Sequence, residues 1–373
     1  MATIYDVAAQ AGVSPKTVSR VLNGDAPVGS KTRQAVEAAM TSLGYIPSNA
    51  AQMMRGQKSG LIGLITGAIS LTTEPTKPAG LPDLFIVQGI QSAFADTGKT
   101  LMIADTGGRS DRVPHLIQTF LRHRVEGLIY VAEYHQAVTL PRVPKDVHLV
   151  LANCYDDAGT PAILPDDVRG QRELVARLIA SGHHRIAYLS LRPEIEAGRL
   201  RTIGYCQALQ AAGIAVDPAL IAPCDLGGED GETQLLYDTI DRLLLLADPP
   251  TVLSCGNDKM ALKVYGILRS RGIKVPDEMS VAGYDNYRVI AETLYPPLTT
   301  VDLPYAAMGV RAAHLLMALI RGNSPDTAPI DPLNGANTSA ATLVAGPVCW
   351  RNSVTERRAA TVLHFRSIRE ERP

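Results

Sequence analysis

Lys16, Thr17 and Arg20 stand at i, i+1 and i+4 of the stretch TIYDVAAQAGVSPKTVSRVLN, residues 3–23. On one helical face they present an ammonium, a hydroxyl and a guanidinium fork. An arginine fork either reads guanine O6 and N7 together or clamps a phosphate. A lysine and a threonine near the start of the same helix reach base edges or phosphate oxygens. Val18, Val21 and Leu22 fall on the other face and can pack inward. Ser14 is placed to cap this helix, and Pro15 fits its first turn, where a missing N–H costs nothing.

The preceding residues supply a partner for that helix. Thr3 is a plausible N-cap with Asp6 three residues on, close to a capping box. Val7, Ala8 and Ala11 share a face, and Gly12 suits a left-handed C-terminal position because it has no Cβ. Two short helices joined by a tight turn, one face dry and one rich in donors, make a helix-turn-helix, whose second helix lies in a DNA major groove. After Gly24-Asp25 breaks the pattern, Ser30 is expected to cap a third helix that runs to about Leu43 and stops at Gly44. Residues 45–56, YIPSNAAQMMRG, hold about two helical turns, too few to stand alone. Either they fold on DNA together with a second copy, or they are an ordinary linker.

Charge agrees with this division. The chain of 373 residues has a formal net charge of −1, but residues 1–59 carry six Lys and Arg against three Asp and Glu. A basic head on a slightly acidic body fits a protein whose head alone meets phosphate. The five cysteines are scattered with no Cys-x-x-Cys pair and read as reduced core thiols. The N-terminus shows no basic flank ahead of an apolar run, and the longest apolar stretch, near 61–71, is too short and glycine-broken to span a bilayer. A soluble, cytoplasmic protein with no membrane partner is expected.

From Gly60 onward, short apolar strands alternate with helices, the pattern of parallel sheets covered on both faces. Strands are expected at 61–65, 100–104, 127–131, 147–152, 185–190, 251–254 and 279–283. Helices are expected at 83–95, 113–123, 167–181, 199–212, 231–246, 258–271 and 305–320. The units are too many for one sheet, so two α/β subdomains follow, with a ligand outside the strand C-termini, between the lobes. Neither a Gly-x-Ser-x-Gly elbow, a P-loop nor a dinucleotide glycine fingerprint follows a strand, which argues against an enzyme. His183-His184 has no converging ligands, and neither metal nor cofactor is expected.

Gly12-Val13-Ser14, 17–23 (TVSRVLN) and 44–47 (GYIP) closely resemble the lactose/galactose/purine repressor family of bacterial transcription regulators, and the resemblance runs over nearly the whole chain. It implies an all-α helix-turn-helix head at 1–46, a hinge at 47–59 and a periplasmic-binding-protein-like α/β body at 60–348. That body would consist of two doubly wound parallel-sheet subdomains, an N-lobe of about 60–160 and 302–325 and a C-lobe of about 161–300 and 326–348. The Arg-rich tail at 349–373 reads as disorder. Its apolar residues are poorly spaced for the leucine-heptad helix that makes some relatives tetramers, so a homodimer is expected.

By the same resemblance Lys16, Thr17 and Arg20 meet bases, while Pro15 contributes shape and apolar contact. Thr3, Tyr5, Ser14, Ser19 and Asn23 position phosphates, with a purely structural role open for Tyr5 and Asn23. Relatives wedge a hinge leucine into the minor groove from both subunits. The matching residue is Met54, still apolar but unbranched, with Asn49 and Ala51 as groove neighbours. Two hinges over one groove imply a near-palindromic double-stranded operator. The family's cleft residues map onto Arg201, Asn257 and Asp285, with Asn153 where aspartate is common, and Leu226 and Tyr305 as candidate walls. Relatives often carry an aromatic pair in the first ligand loop. Here 70–81 (SLTTEPTKPAGL) is longer and leads to Asp83, which points to a hydroxylated ligand, a sugar or a disaccharide, rather than a flat nucleobase. The implied function is a ligand-controlled repressor; an activator of the same family is the alternative.

Overall fold

In a computed structural model, the chain divides into two compact units, 1–60 and 61–373. Residues 2–23, 27–46, 58–67, 82–226, 231–323 and 341–357 are described. Asn49, Ala51, Met54, the loop 70–81 and the tail beyond 357 lie outside them, as do the side chains of Asn23 and Asp83.

The first unit holds α1 (Ile4–Ala11), α2 (Pro15–Asn23) and α3 (Ser30–Leu43). Thr3 and Asp6 close a full capping box: the Thr3 hydroxyl accepts from the Asp6 N–H, and the Asp6 carboxylate accepts from the Thr3 N–H at 2.8 Å. Gly12, at φ 67°, ends α1 by donating to the Ala8 and Ala9 carbonyls. The Ser14 hydroxyl accepts from the Thr17 N–H at 3.2 Å, the expected cap of α2. Ser30 does not cap α3: Gly29 occupies that position without a side-chain bond, and Ser30 is the first helical residue. Val7, Ala8, Val18, Val21, Val36 and Ala39 form the small core.

The second unit contains two six-stranded sheets. The first is built from β1 (Leu61–Thr66), β2 (Thr100–Asp105), β3 (Gly127–Ala137), β4 (His148–Tyr155), β5 (Ala162–Pro165) and β11 (Ala341–Val344), in the order β11-β5-β4-β3-β1-β2. All its pairings are parallel. The second is built from β6 (Ile186–Ser190), β7 (Ile221–Pro223), β8 (Val252–Cys255), β9 (Ser280–Asp285), β10 (Thr299–Asp302) and β12 (Val348–Cys349), in the order β12-β10-β9-β8-β6-β7. Only its edge strand β12 is antiparallel.

Strand alternation decides which helix covers which face. Ile62 and Leu64 of β1 pack with α4 (Pro82–Phe94) and α11 (Tyr305–Ile320), whereas Ile65 packs with α5 (Val113–Arg122). Gly89 and Gly309 let α4 and α11 meet backbone to backbone: a Cβ on either would collide with a main-chain oxygen of the other helix. In the second sheet Ile186 and Tyr188 face α6 (Asp167–Ala180) and α7 (Glu196–Ala211). Ala187 and Leu189 face α8 (Glu232–Leu244) and α9 (Asp258–Ser270). A short α10 (Arg288–Ala291) follows β9. Each fully buried Leu or Ile contributes roughly 1.5–3 kcal/mol, and the four clusters these faces create hold the body together.

The chain passes between the sheets after β5, β10 and β11. Here the topology departs from the sequence reading. β5 and β11 were expected in the C-lobe, but Ala162 pairs with Leu151 and Ala341 with Ala162, so both strands belong to the first sheet. Each has four residues, too few to show which sheet it serves. Residues 349–357 are also part of the C-lobe rather than of a disordered tail. The Arg351 guanidinium donates to the Leu298 carbonyl at 2.9 Å and to Asn286 Oδ1 at 2.8 Å, and Ser353 is fully buried.

Candidate functional site

In the head, the side chains of Lys16 and Arg20 are exposed and make no ion pair among the described residues. Val18 and Val21 are buried beneath them, so the inward face of α2 fixes the outward aim of both cations. Pro15 and Thr17 are half-buried at the start of the same helix, and Ser19 is half-buried on it. Tyr5 is 71% exposed. The Thr3 and Ser14 hydroxyls already serve as caps, and Ser14 also shares a hydrogen bond with the Thr17 hydroxyl at 3.0 Å. Two free cations over a rigid apolar seat are suited to polyanion contact.

In the body, the sheets' C-terminal ends bring together a chain of buried charge. Arg201, on α7, is 3% exposed. Its Nε donates to Asp167 Oδ1 at 2.8 Å, its Nη1 donates to the Gly256 carbonyl at 2.6 Å, and its guanidinium carbon lies 3.7 Å from the Tyr284 ring centroid. Asp285 Oδ1 stands 3.6 Å from the same Nη1. Asp167, at the start of α6, turns its other oxygen to His135 Nδ1 at 3.0 Å. His135 lies on β3 and Asp167 on α6, so this pair joins the two lobes in a buried place.

Burial alone would push the Asp167 carboxyl up, but Arg201 and His135 outweigh it and hold the group below the usual carboxylate range. Burial also opposes the charge on Arg201, yet Asp167 and Asp285 raise its pKa further above the ordinary arginine value. Asp285 goes the other way: burial, with Asp167 nearby, lifts it to about 6 against the pull of Arg201. Arg201 thus serves two carboxylates unequally. Asp167 holds it through a direct charge-assisted bond, and Asp285 remains 21% exposed, with capacity left for a further donor.

Backbone strain marks the same ends. Asn153 near the end of β4 has φ 60°, Asp285 at the end of β9 has φ 114° and Asn286 has φ 49°. Left-handed conformations in non-glycine residues collect at ligand sites, where neighbours hold them.

The structure brings some of the sequence-selected residues together and leaves others apart. Arg201 touches Asp285, and Asp285 shares a cavity of about 310 Å³ with Tyr305, Phe85, Asp302 and residues of α10. Tyr305 packs against the core of both lobes. Asn153 is 1% exposed and donates to the Ala132 carbonyl at 3.2 Å. Asn257 caps α9 by accepting from the Met260 N–H at 2.8 Å, and Leu226, after β7, is half-buried and donates its N–H to Glu232. These three do not line the cavity that Asp285 and Tyr305 share. His135 and Asp167 were missed. The strand ending at Val131 in the sequence reading continues to Ala137 through a register shift between Val131 and Gln136, which carries His135 toward the other lobe. Asp167 read only as a helix start.

Residues 3–48 match the model for bacterial regulatory proteins of the lacI family, and residues 175–337 match that for a periplasmic binding protein-like domain. The chain is 33% identical to the HTH-type transcriptional regulator GalR of Escherichia coli K12 over 324 residues, covering 86% of this chain and 89% of that protein. The chain belongs to the lacI family. The sucrose operon repressor of Escherichia coli is 31% identical over 315 residues, 84% of this chain and 92% of that one. The crystal structure of the lac repressor dimer bound to operator and the anti-inducer ONPF superposes with a TM-score of 0.73 at 27% identity, covering 95% of this chain and 99% of that one. As a lacI-family member the chain is a transcription regulator and not an enzyme. No helix among the described residues is long and apolar enough to cross a membrane.

Proposed function

We propose that this protein is a homodimeric, cytoplasmic repressor that binds a near-palindromic double-stranded operator and is controlled by a carbohydrate seated between its lobes. The observation that carries this reading is the pairing of Arg201 with Asp285 at the end of β9, beside a cavity that Tyr305 also lines. A sugar presents paired donors and acceptors. A planar guanidinium and an under-satisfied carboxylate in fixed geometry match them. The sucrose operon repressor and the operator-bound lac repressor dimer, as named, support repression, DNA binding and a two-fold assembly. Asn153 near the end of β4, Asn257 after β8 and Leu226 after β7 are the remaining candidate wall residues. Asp83, after the loop 70–81, is a further candidate contact to the ligand.

In the head, Arg20, Lys16 and Thr17 read base edges, Pro15 adds apolar contact, and Thr3, Tyr5, Ser14, Ser19 and Asn23 hold phosphates. Met54 wedges the minor groove with Asn49 and Ala51 beside it, from each of two subunits. Ligand occupancy changes the angle between lobes and hence the spacing of the two hinges. Such coupling needs only a few kcal/mol to switch operator occupancy.

The test is selection of duplexes from a random pool by the full-length protein, followed by titration of the bound complex with a panel of mono- and disaccharides. A near-palindromic consensus, released or tightened by at least one sugar, is expected. An asymmetric consensus excludes the two-fold assembly, and indifference to every sugar excludes the carbohydrate reading.

A further inference from the structure

A second cavity, of about 520 Å³, sits at the C-terminal ends of β1, β2 and β3 and is built wholly from the N-lobe. Its polar wall includes Thr106, Ser110, Glu133 and Gln136, and Gly67 and Gly108 open it. The volume is that of a small-ligand site, and strand C-termini are where open α/β sheets bind ligands. Room for the Glu133 carboxylate is specifically made. A Cβ on Gly67 would fall 2.6 Å from Glu133 Oε1, and Gly108, at φ 74°, is the other glycine beside it.

Glu133 has no hydrogen-bond or ion-pair partner among the described residues. The arginines of the neighbouring loop are turned elsewhere: Arg109 pairs with Asp111 at 2.8 Å, and Arg112 donates to the Thr106 carbonyl at 3.4 Å. Burial and the like charge of Asp105 push the Glu133 carboxyl up, and among the described residues no cation pairs with it. Among the described residues no cluster of ligands could hold a metal ion there. Across the lobes Arg201 is already matched by Asp167 and Asp285, so it is not a free cation for an anionic ligand such as a sugar phosphate.

We propose that the Glu133 pocket receives the protonated amine of a small hydroxylated ligand, an amino sugar or amino polyol, whose hydroxyls bond Thr106, Ser110 and Gln136. An ammonium supplies donors to a carboxylate that has none, and the resulting bond is charge-assisted in a shielded place. The pocket is tied to the rest of the body through one short segment. Glu133 and Gln136 flank His135, which holds Asp167, which holds Arg201. A ligand that draws in Glu133 therefore moves the irregular stretch of β3 that joins the lobes. This assignment rests on the reading of the body as an effector receptor, and it adds an N-lobe position to the one between the lobes.

The experiment is calorimetric and thermal-shift titration of the full-length protein with matched pairs: glucosamine and glucose, galactosamine and galactose, mannosamine and mannose. At least one amino sugar should bind roughly tenfold or more tightly than its neutral parent. Glu133→Gln should erase that preference. Neutral sugars binding as well as or better than their amines overturn the proposal and leave the effector reading intact, as does a preference that survives Glu133→Gln. Failure of every sugar, charged or neutral, overturns both. The wild-type comparison decides the matter even if the variant does not fold.

Discussion

The head and the body use arginine in opposite ways. Arg20 stands exposed on α2 over buried Val18 and Val21, its guanidinium without an ion pair among the described residues. Arg201 is buried on α7, with one carboxylate bonded, a second within reach, a carbonyl on Nη1 and an aromatic ring against its face. An exposed cation costs little to keep and is available to a polyanion, so its worth lies in binding. A buried cation is tolerable only while its partners remain, so its worth lies in holding a geometry. Function in the head therefore separates from stability, whereas in the body the two are bound together.

Removing Asp167 breaks that difference most strongly. Arg201 cannot shed its charge, and without Asp167 it keeps only the more distant carboxylate and a carbonyl, while His135 loses its cross-lobe acceptor. Asp167→Ala is expected to cost the body about 3–5 kcal/mol. The single tryptophan of the chain, Trp350, lies in the body with the Arg177 guanidinium 4.4 Å from its ring centroid, so its fluorescence in a urea titration follows the body alone. A loss under about 1 kcal/mol would show that the charge chain is not what holds Arg201.

Acid should separate the units next. Every histidine of the chain lies beyond residue 60. His183 is fully buried; its Nε2–H donates to the Thr355 carbonyl at 3.0 Å, and its Nδ1 accepts from the Thr251 hydroxyl at 2.8 Å. Burial pushes its pKa down to about 4. The unfolded chain therefore takes up the proton first, and stability falls as pH drops from about 6.5 through about 4, by on the order of 3 kcal/mol in all. Two aspartates act in the opposite sense. Burial and mutual repulsion raise Asp258 to about 8, and burial raises Asp285 to about 6, so what they cost near neutrality is regained as pH falls. The wild-type stability minus that of His183→Gln, measured by Trp350 fluorescence between pH 7 and 4, isolates the histidine. A flat difference would refute it.

The two regions also differed in how plainly the sequence spoke. In the head, local rules suffice: Thr3 with Asp6, Gly12 and the apolar spacing of α2 each act within one turn, and the structure reproduces them. The exception, Ser30, came from reading a cap where Gly29 takes the place without a side-chain bond. In the body, long buried strands and amphipathic helices were legible, and α11 falls at Tyr305–Ile320 as expected. What escaped was decided by contacts distant in sequence. β5 and β11 are four-residue strands whose membership is settled by pairing, β5 with β4 and β11 with β5, and 349–357 is held by residues fifty or more positions earlier. Arg201 and Asp285 were reachable because their motifs match the family's cleft residues, one on a helix and one at a strand end. The His135–Asp167 link was not, because a register shift inside β3 leaves no period-two trace.

The mildest perturbation sharpens the contrast from the head's side. Arg20→Ala removes a guanidinium that supports nothing beneath it, so the unfolding free energy should stay within about 0.5 kcal/mol of wild type. Affinity for the selected operator should fall by about 1–3 kcal/mol. The salt dependence separates the two ways an arginine can act. If Arg20 clamps a phosphate, the slope of log affinity against log salt shrinks by about one, and all sequences weaken alike. If it reads guanine, the loss concentrates at one base pair of each half-site, and specificity there relaxes. Fluorescence anisotropy over a range of salt, with operators mutated one base pair at a time, distinguishes these. An unchanged affinity at every salt concentration would mean that the exposed face of α2 is not the surface that meets DNA.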